Sequence, residues 1–199
     1  MSDLRSANTY KISIMMFLQF FTWGAWFATL GLCLGSNEFG DFAGGAYGSA
    51  PLGAMIAPLF LGLIADRFFA TQKILAFLHL ASGGIMFYVA TLAGTEGADP
   101  STYIWTMRGY ALLFMPTIAL TNTIAFTHVT NQEKQFPLIR VFGTLGWIAA
   151  GMFVSWYFNV EAERTSLTEA AFQYKVSAVA SLVLGVFCFF LPQCSEASP

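Results

Sequence analysis

Six stretches of this chain, residues 12–37, 42–65, 74–95, 109–132, 141–160 and 176–195, contain no Asp, Glu, Lys or Arg. A helix needs about 20 apolar residues to cross a hydrocarbon core of about 30 Å, and each stretch is that long. Soluble domains carry roughly 25% charged residues. Here 10% are charged and 56% hydrophobic, too little polar surface to cover a globule in water. The spacing predicts an all-α membrane protein with six transmembrane helices near residues 12–34, 43–65, 74–93, 103–126, 137–157 and 171–191. Residues 1–199 then form a single bundle.

Charge also narrows the function. A net charge of −2 with no basic cluster argues against nucleic acid as a partner. Cys33, Cys188 and Cys194 are an odd number without metal-type pair spacing, so neither a disulfide framework nor a metal site is expected. No cofactor motif occurs, and no His/Cys/acid constellation falls within the spans, which argues against an enzyme. The first apolar run is too long for a signal-peptide core and is followed by further spans. With the N-terminus inside, the inner segments hold Arg5, Lys11, Arg67, Lys73 and Lys134, and the outer loops hold Glu38, Asp41, Glu96, Asp99, Glu161, Glu163 and Glu169, with basic residues outside limited to Arg108, Arg164 and Lys175. That asymmetry predicts both termini in the cytoplasm.

Against this apolar background the polar residues stand out. Arg140, Thr144 and Trp147 are spaced i, i+4 and i+7, so on a helix they share a face. An arginine in a spanning segment is costly unless it faces protein or water, which makes it a functional candidate. Snorkelling to the inner surface is the competing reading. Gln19, Trp23 and Trp26 repeat the spacing on the first helix. They read either as a second wall of the same site or as helix-to-helix packing. Asn122, mid-helix after Pro116, needs partners for its amide. His79 reads as a hydrogen-bonded or interfacial histidine and not as a proton carrier. The small-residue second helix, bent at Pro51 and Pro58, is expected to press on a neighbour and to avoid lipid. Pro137 is expected to open the fifth helix. The sixth has few polar atoms and is expected to face lipid.

Gly62-Leu63-Ile64-Ala65-Asp66-Arg67 resembles the signature loop of the major facilitator superfamily, which implies a gating role for Asp66 and Arg67. The usual basic continuation is replaced by Phe68-Phe69-Ala70-Thr71-Gln72-Lys73. More widely, Phe17-Leu18-Gln19-Phe20, Trp23-Gly24-Ala25-Trp26, Met115-Pro116-Thr117, Asn122-Thr123-Ile124 and Pro137 to Gly146 resemble the N-terminal half of the nucleoside:proton symporter family. The resemblance implies a major-facilitator-type bundle of two inverted three-helix repeats in a bacterial inner membrane. It also implies a second six-helix bundle as partner, and alternating access for a nucleoside with protons. In the family, the positions of Arg140 and Thr144 help bind nucleoside, and an aromatic stands where Trp147 is. Gln19, Trp23, Trp26 and Asn122 complete the expected substrate-binding set. No carboxylate lies in the charge-free stretches, so the proton-carrying acid is expected in another bundle, and the 199 residues alone are expected to give no coupled transport. A sugar or other polar-metabolite carrier and a non-transporting membrane subunit are the alternatives.

Overall fold

The computed structural model describes residues 2–36, 39–64, 70–160 and 171–192. The described residues are helical almost throughout. The elements are α1 (Ser2–Phe27), α2 (Leu30–Ser36), a 3-10 turn at Gly40–Phe42, α3 (Ala43–Ile64), α4 (Thr71–Ala93), α5 (Pro100–His128), α6 (Gln132–Val160), α7 (Phe172–Phe187) and a 3-10 turn at Cys188–Phe190. The segments Thr71–Ala93, Pro100–His128, Gln132–Tyr157 and Phe172–Phe190 are long and apolar enough to cross a membrane. Among the described residues the fold is all-helical, that of a multi-pass membrane protein.

Several helix ends differ from expectation, each for a local reason. The first helix breaks after Phe27 and resumes at Leu30. Beside the break, the Thr29 hydroxyl donates back to the Ala25 carbonyl, and the Gly31 amide donates to the Tyr47 hydroxyl at 3.1 Å. The fifth helix starts at Gln132, so Pro137 lies inside it. Asn131 Oδ1 accepts from the Lys134 amide, satisfying one of the orphan donors of the first turn. The fourth begins at Pro100 because Asp99 caps it, accepting from the Thr102 amide at 2.8 Å and the Thr102 hydroxyl at 2.7 Å.

Close packing comes from glycine and alanine. α1 lies on α6, α3 on α5, and α4 on both α5 and α7, while α1 also meets α5 and α7. A Cβ at Gly53 would sit 2.6 Å from the Ala111 carbonyl oxygen, and one at Gly146 would overlap the Phe17 carbonyl. On the α4–α7 seam a Cβ at Gly83 would lie 3.2 Å from the Ala178 carbonyl, and one at Gly185 3.2 Å from the Ala76 carbonyl. Such contacts let backbones approach closely, the main source of helix association in a bilayer. The small face of α3 is buried through Ala46, Ala50, Gly53 and Ala57, but Leu52, Met55 and Ile56 on the same helix are exposed. The expectation that this helix is packed holds for one side only.

The sixth expected helix does not simply face lipid. Gln173, Tyr174, Ser177 and Ser181 of α7 are fully buried. The Ser177 hydroxyl donates to the Thr22 carbonyl at 2.9 Å, and the Tyr174 and Tyr103 hydroxyls pair at 2.7 Å. Its few polar atoms share the buried face, whereas Val179, Val183 and Val186 are exposed. What matters is which face carries the serines, and counting polar atoms hides that.

Candidate functional site

The residues predicted on the fifth helix lie where α6 packs against α1. Arg140 is half-buried, and its guanidinium carbon stands 3.9 Å from the centre of the Phe20 ring. A cation over an aromatic face gains from the ring's negative quadrupole, about 0.5–2 kcal/mol depending on exposure. Among the described residues the guanidinium has no hydrogen-bond acceptor and no acidic partner, so its planar fork of donors is unused. One turn on, Thr144 is exposed. A turn further, Trp147 stands edge to face with Trp23, ring centres 5.2 Å apart, and 6.0 Å from Phe27. Gly24 makes this possible, since a Cβ there would meet the Trp147 backbone at 3.0 Å. Gly143 does the same beneath Arg140, where a Cβ would lie 2.7 Å from Phe20.

The structure therefore brings Arg140, Thr144, Trp147 and Trp23 onto one seam. It separates Gln19 and Trp26 from them. Both are fully buried inside the bundle. Trp26 Nε1 donates to the Tyr110 hydroxyl at 3.2 Å, with the rings perpendicular. Gln19 bonds to Thr117 of α5 and His79 of α4. At about 100° per residue, Trp23 is turned some 40–60° from Gln19 and Trp26. That is enough for Trp23 to meet α6 while its neighbours point to the bundle axis. Asn122 is half-buried with Oδ1 buried and unpartnered among the described residues, as is Trp23 Nε1. Each is a polar atom without a protein partner, which in a buried setting calls for a ligand or water. Asp66 and Arg67 lie outside the described residues.

Phe20 and Phe27 complete the aromatic wall and were not singled out from the sequence. In a chain with 21 Phe, neither stands out until α6 is placed beside it. Of the two expectations for His79, hydrogen-bonded or interfacial, the first holds and the second does not: the ring is fully buried, with Nε2 2.8 Å from Gln19 Oε1 and Nδ1 3.0 Å from Ser181 Oγ. An outward groove of about 540 Å³ lies between α1, α6 and α7, lined by Phe17, Phe21, Phe153 and valines with Lys175 as its one charge. It contains none of the predicted site residues and offers a polar ligand almost no donors or acceptors.

A half-buried arginine over an aromatic ring, an exposed hydroxyl and a tryptophan pair thus stand together where α6 meets α1 in a multi-pass membrane protein. The chain belongs to the nucleoside H+ symporter family, whose sequence profile matches residues 7–198. Among curated relatives, the chain is 40% identical to "Putative nucleoside transporter YegT" of Escherichia coli (strain K12), over 93% of this chain and 42% of that protein. It is 34% identical to the xanthosine permease of the same organism, over 92% of this chain and 42% of the permease. It superposes on the crystal structure of the nucleoside transporter NupG with a TM-score of 0.81 and 26% identity, over 95% of this chain and 45% of that one. The chain thus spans less than half the length of the relatives it matches. By their names these relatives are transporters and not enzymes.

Proposed function

We propose that the chain is one six-helix bundle of a proton-coupled nucleoside carrier, with nucleoside held along the α1–α6 seam. The observation that carries this reading is the Arg140 guanidinium, fixed over Phe20 with its donors unused and flanked by Thr144 and the Trp23–Trp147 pair. A nucleoside supplies what those groups lack. Its ribose hydroxyls and base carbonyls accept from the arginine fork and the threonine. Its base can stack on an indole, worth about 1–3 kcal/mol by analogy with nucleic-acid stacking. Asn122 Oδ1 can accept from a base or sugar donor. Family membership supports the nucleoside as substrate and the proton as the coupled ion.

We read the fold as two inverted three-helix repeats in six spans. Exchanging α1 with α5, α3 with α6 and α4 with α7 maps the pairings α1–α6, α3–α5, α4–α5, α1–α7, α1–α5 and α4–α7 onto themselves. On the α4–α7 seam, Gly83 against Ala178 and Leu182 exchanges with Gly185 against Ala76 and Leu80. Those contacts come from the same pattern on both helices, Ala76-x-x-x-Leu80-x-x-Gly83 and Ala178-x-x-x-Leu182-x-x-Gly185. The bonds Gln19–Thr117 and Trp26–Tyr110 likewise exchange with each other. A second six-helix bundle would complete the cavity and carry the titrating carboxylate, since none lies in the charge-free stretches. The charge asymmetry of the loops supports cytoplasmic termini in a bacterial inner membrane.

The test is equilibrium binding of uridine, adenosine and xylose to the 199-residue chain in lipid nanodiscs. Saturable binding of both nucleosides, absence of xylose binding, and loss of nucleoside binding in Arg140→Ala are expected. Xylose binding as tight as uridine would favour a sugar carrier. Nucleoside binding unchanged by Arg140→Ala and Thr144→Ala would overturn the assignment of the site.

A further inference from the structure

The strongest unassigned feature is the buried polar chain at the centre of the bundle. It links Gln19 of α1, His79 and Ser82 of α4, Thr117 of α5 and Ser181 of α7, all at 0% exposure. Its proton arrangement can be followed atom by atom. The Thr117 hydroxyl donates to the Phe114 carbonyl, so toward Gln19 it accepts, and Gln19 Nε2 donates to it at 2.7 Å. That fixes the amide, leaving Oε1 toward His79 Nε2 at 2.8 Å. A carbonyl oxygen only accepts, so Nε2 carries the hydrogen. Nδ1 is then the bare nitrogen, and it shares the single hydrogen of the Ser181 hydroxyl, 3.0 Å away, with the His79 carbonyl, which the same hydroxyl reaches at 2.9 Å and to which Ser82 Oγ also donates. Ser82 Oγ, 3.3 Å from both Ser181 Oγ and the His79 carbonyl, closes the chain.

We propose that His79 is a positioning residue: as the Nε2–H tautomer it holds the Gln19 amide in one orientation and so fixes the rotation of α1 that presents Phe20 and Trp23 to Arg140 and Trp147. Gln19 precedes Phe20 directly and lies one turn before Trp23, so a turn of α1 that breaks the Gln19 bonds also shifts both rings. A buried amide without its partners would incur the full cost of desolvation, which makes the orientation strict. The chain is not a proton path, because the Gln19 carboxamide donates at nitrogen and accepts at oxygen and passes no proton between them. The proposal rests on the α1–α6 seam being the substrate site, and its test separates the two.

The first readout is ligand-free. In ¹⁵N-histidine spectra of the chain in nanodiscs, with His128→Gln to leave one signal, a protonated Nε2 and a bare Nδ1 are expected. A protonated Nδ1 overturns the proposal. The second places 5-fluorotryptophan in the chain and follows the Trp23 resonance, assigned by Trp23→Phe. It should move in His79→Leu and return in His79→Gln, whose amide can again donate to Gln19. An unmoved resonance in His79→Leu shows that α1 is held without His79. The third is uridine binding, expected to weaken about tenfold in His79→Leu, the effect of losing one to two buried hydrogen bonds, and to recover in His79→Gln. If the resonance behaves as expected while uridine binding ignores both His79→Leu and Arg140→Ala, positioning stands and the seam is not the substrate site.

Discussion

Arg140 decides how the seam works. Its guanidinium carbon stands 3.9 Å from the centre of the Phe20 ring, and its donors meet no acceptor among the described residues. A lysine would preserve the charge but lose the planar fork of donors. Arg140→Lys is therefore expected to weaken uridine binding about tenfold or more, since two charge-assisted hydrogen bonds collapse to one. Calorimetric titration of the nanodisc-embedded variant checks this. Thr144→Val, which keeps the shape and removes an exposed hydroxyl, should cost about three- to tenfold, the range of a single neutral hydrogen bond. The spacing in the sequence made Arg140, Thr144 and Trp147 legible because one helix face is a local property. The position of Gln19 and Trp26 was not legible. Two residues within 60° of Trp23 can face a different neighbour, and only the placement of α4 and α5 decides which. Phe20 was equally invisible, because its role exists only once α6 crosses it.

Helix existence was readable from charge spacing, while helix ends depended on single caps. Asp99 illustrates the point. Its carboxylate accepts from the hydroxyl and amide of Thr102 and from the Ser101 amide, and the Thr102 hydroxyl does most to hold it below its ordinary value of 3.8. A depressed folded value means the cap contributes above pH about 4 and its contribution is lost as pH falls through the lower folded value. Amide exchange in the first turn of α5 should therefore speed up on acidification below pH about 4, and Asp99→Asn should show no such step. The glycines give a sharper contrast. Gly146→Ala pushes a methyl into the Phe17 backbone, which has no flexible end to yield, and should destabilise the fold by about 1–3 kcal/mol. Gly84→Ala on α4 meets nothing within 4 Å and should be neutral or stabilising by up to about 1 kcal/mol. Thermal unfolding in detergent compares the two. Both glycines look alike in sequence, since a glycine needed for contact and one facing open space share the same local pattern.

The bundle as a whole leaves α6 with a large outward apolar surface. Leu138, Val141, Leu145, Ile148 and Met152 are each about half exposed or more. In the proposed carrier that surface meets lipid and a second bundle. The repeat pattern of Ala, Leu and Gly on α4 and α7 was present in the sequence but too short to notice; its meaning lies in the reciprocal contact the two helices make. Tryptophan emission offers the most direct check of where the nucleoside sits, because Trp147 and Trp23 form the wall beside Arg140. Titrating uridine into the chain in nanodiscs should quench emission saturably. The quench should vanish in Trp147→Phe and in Arg140→Ala, and xylose should leave the emission unchanged. A saturable quench that survives both substitutions, or uridine binding with no change in emission, would contradict a nucleoside site on the α1–α6 seam.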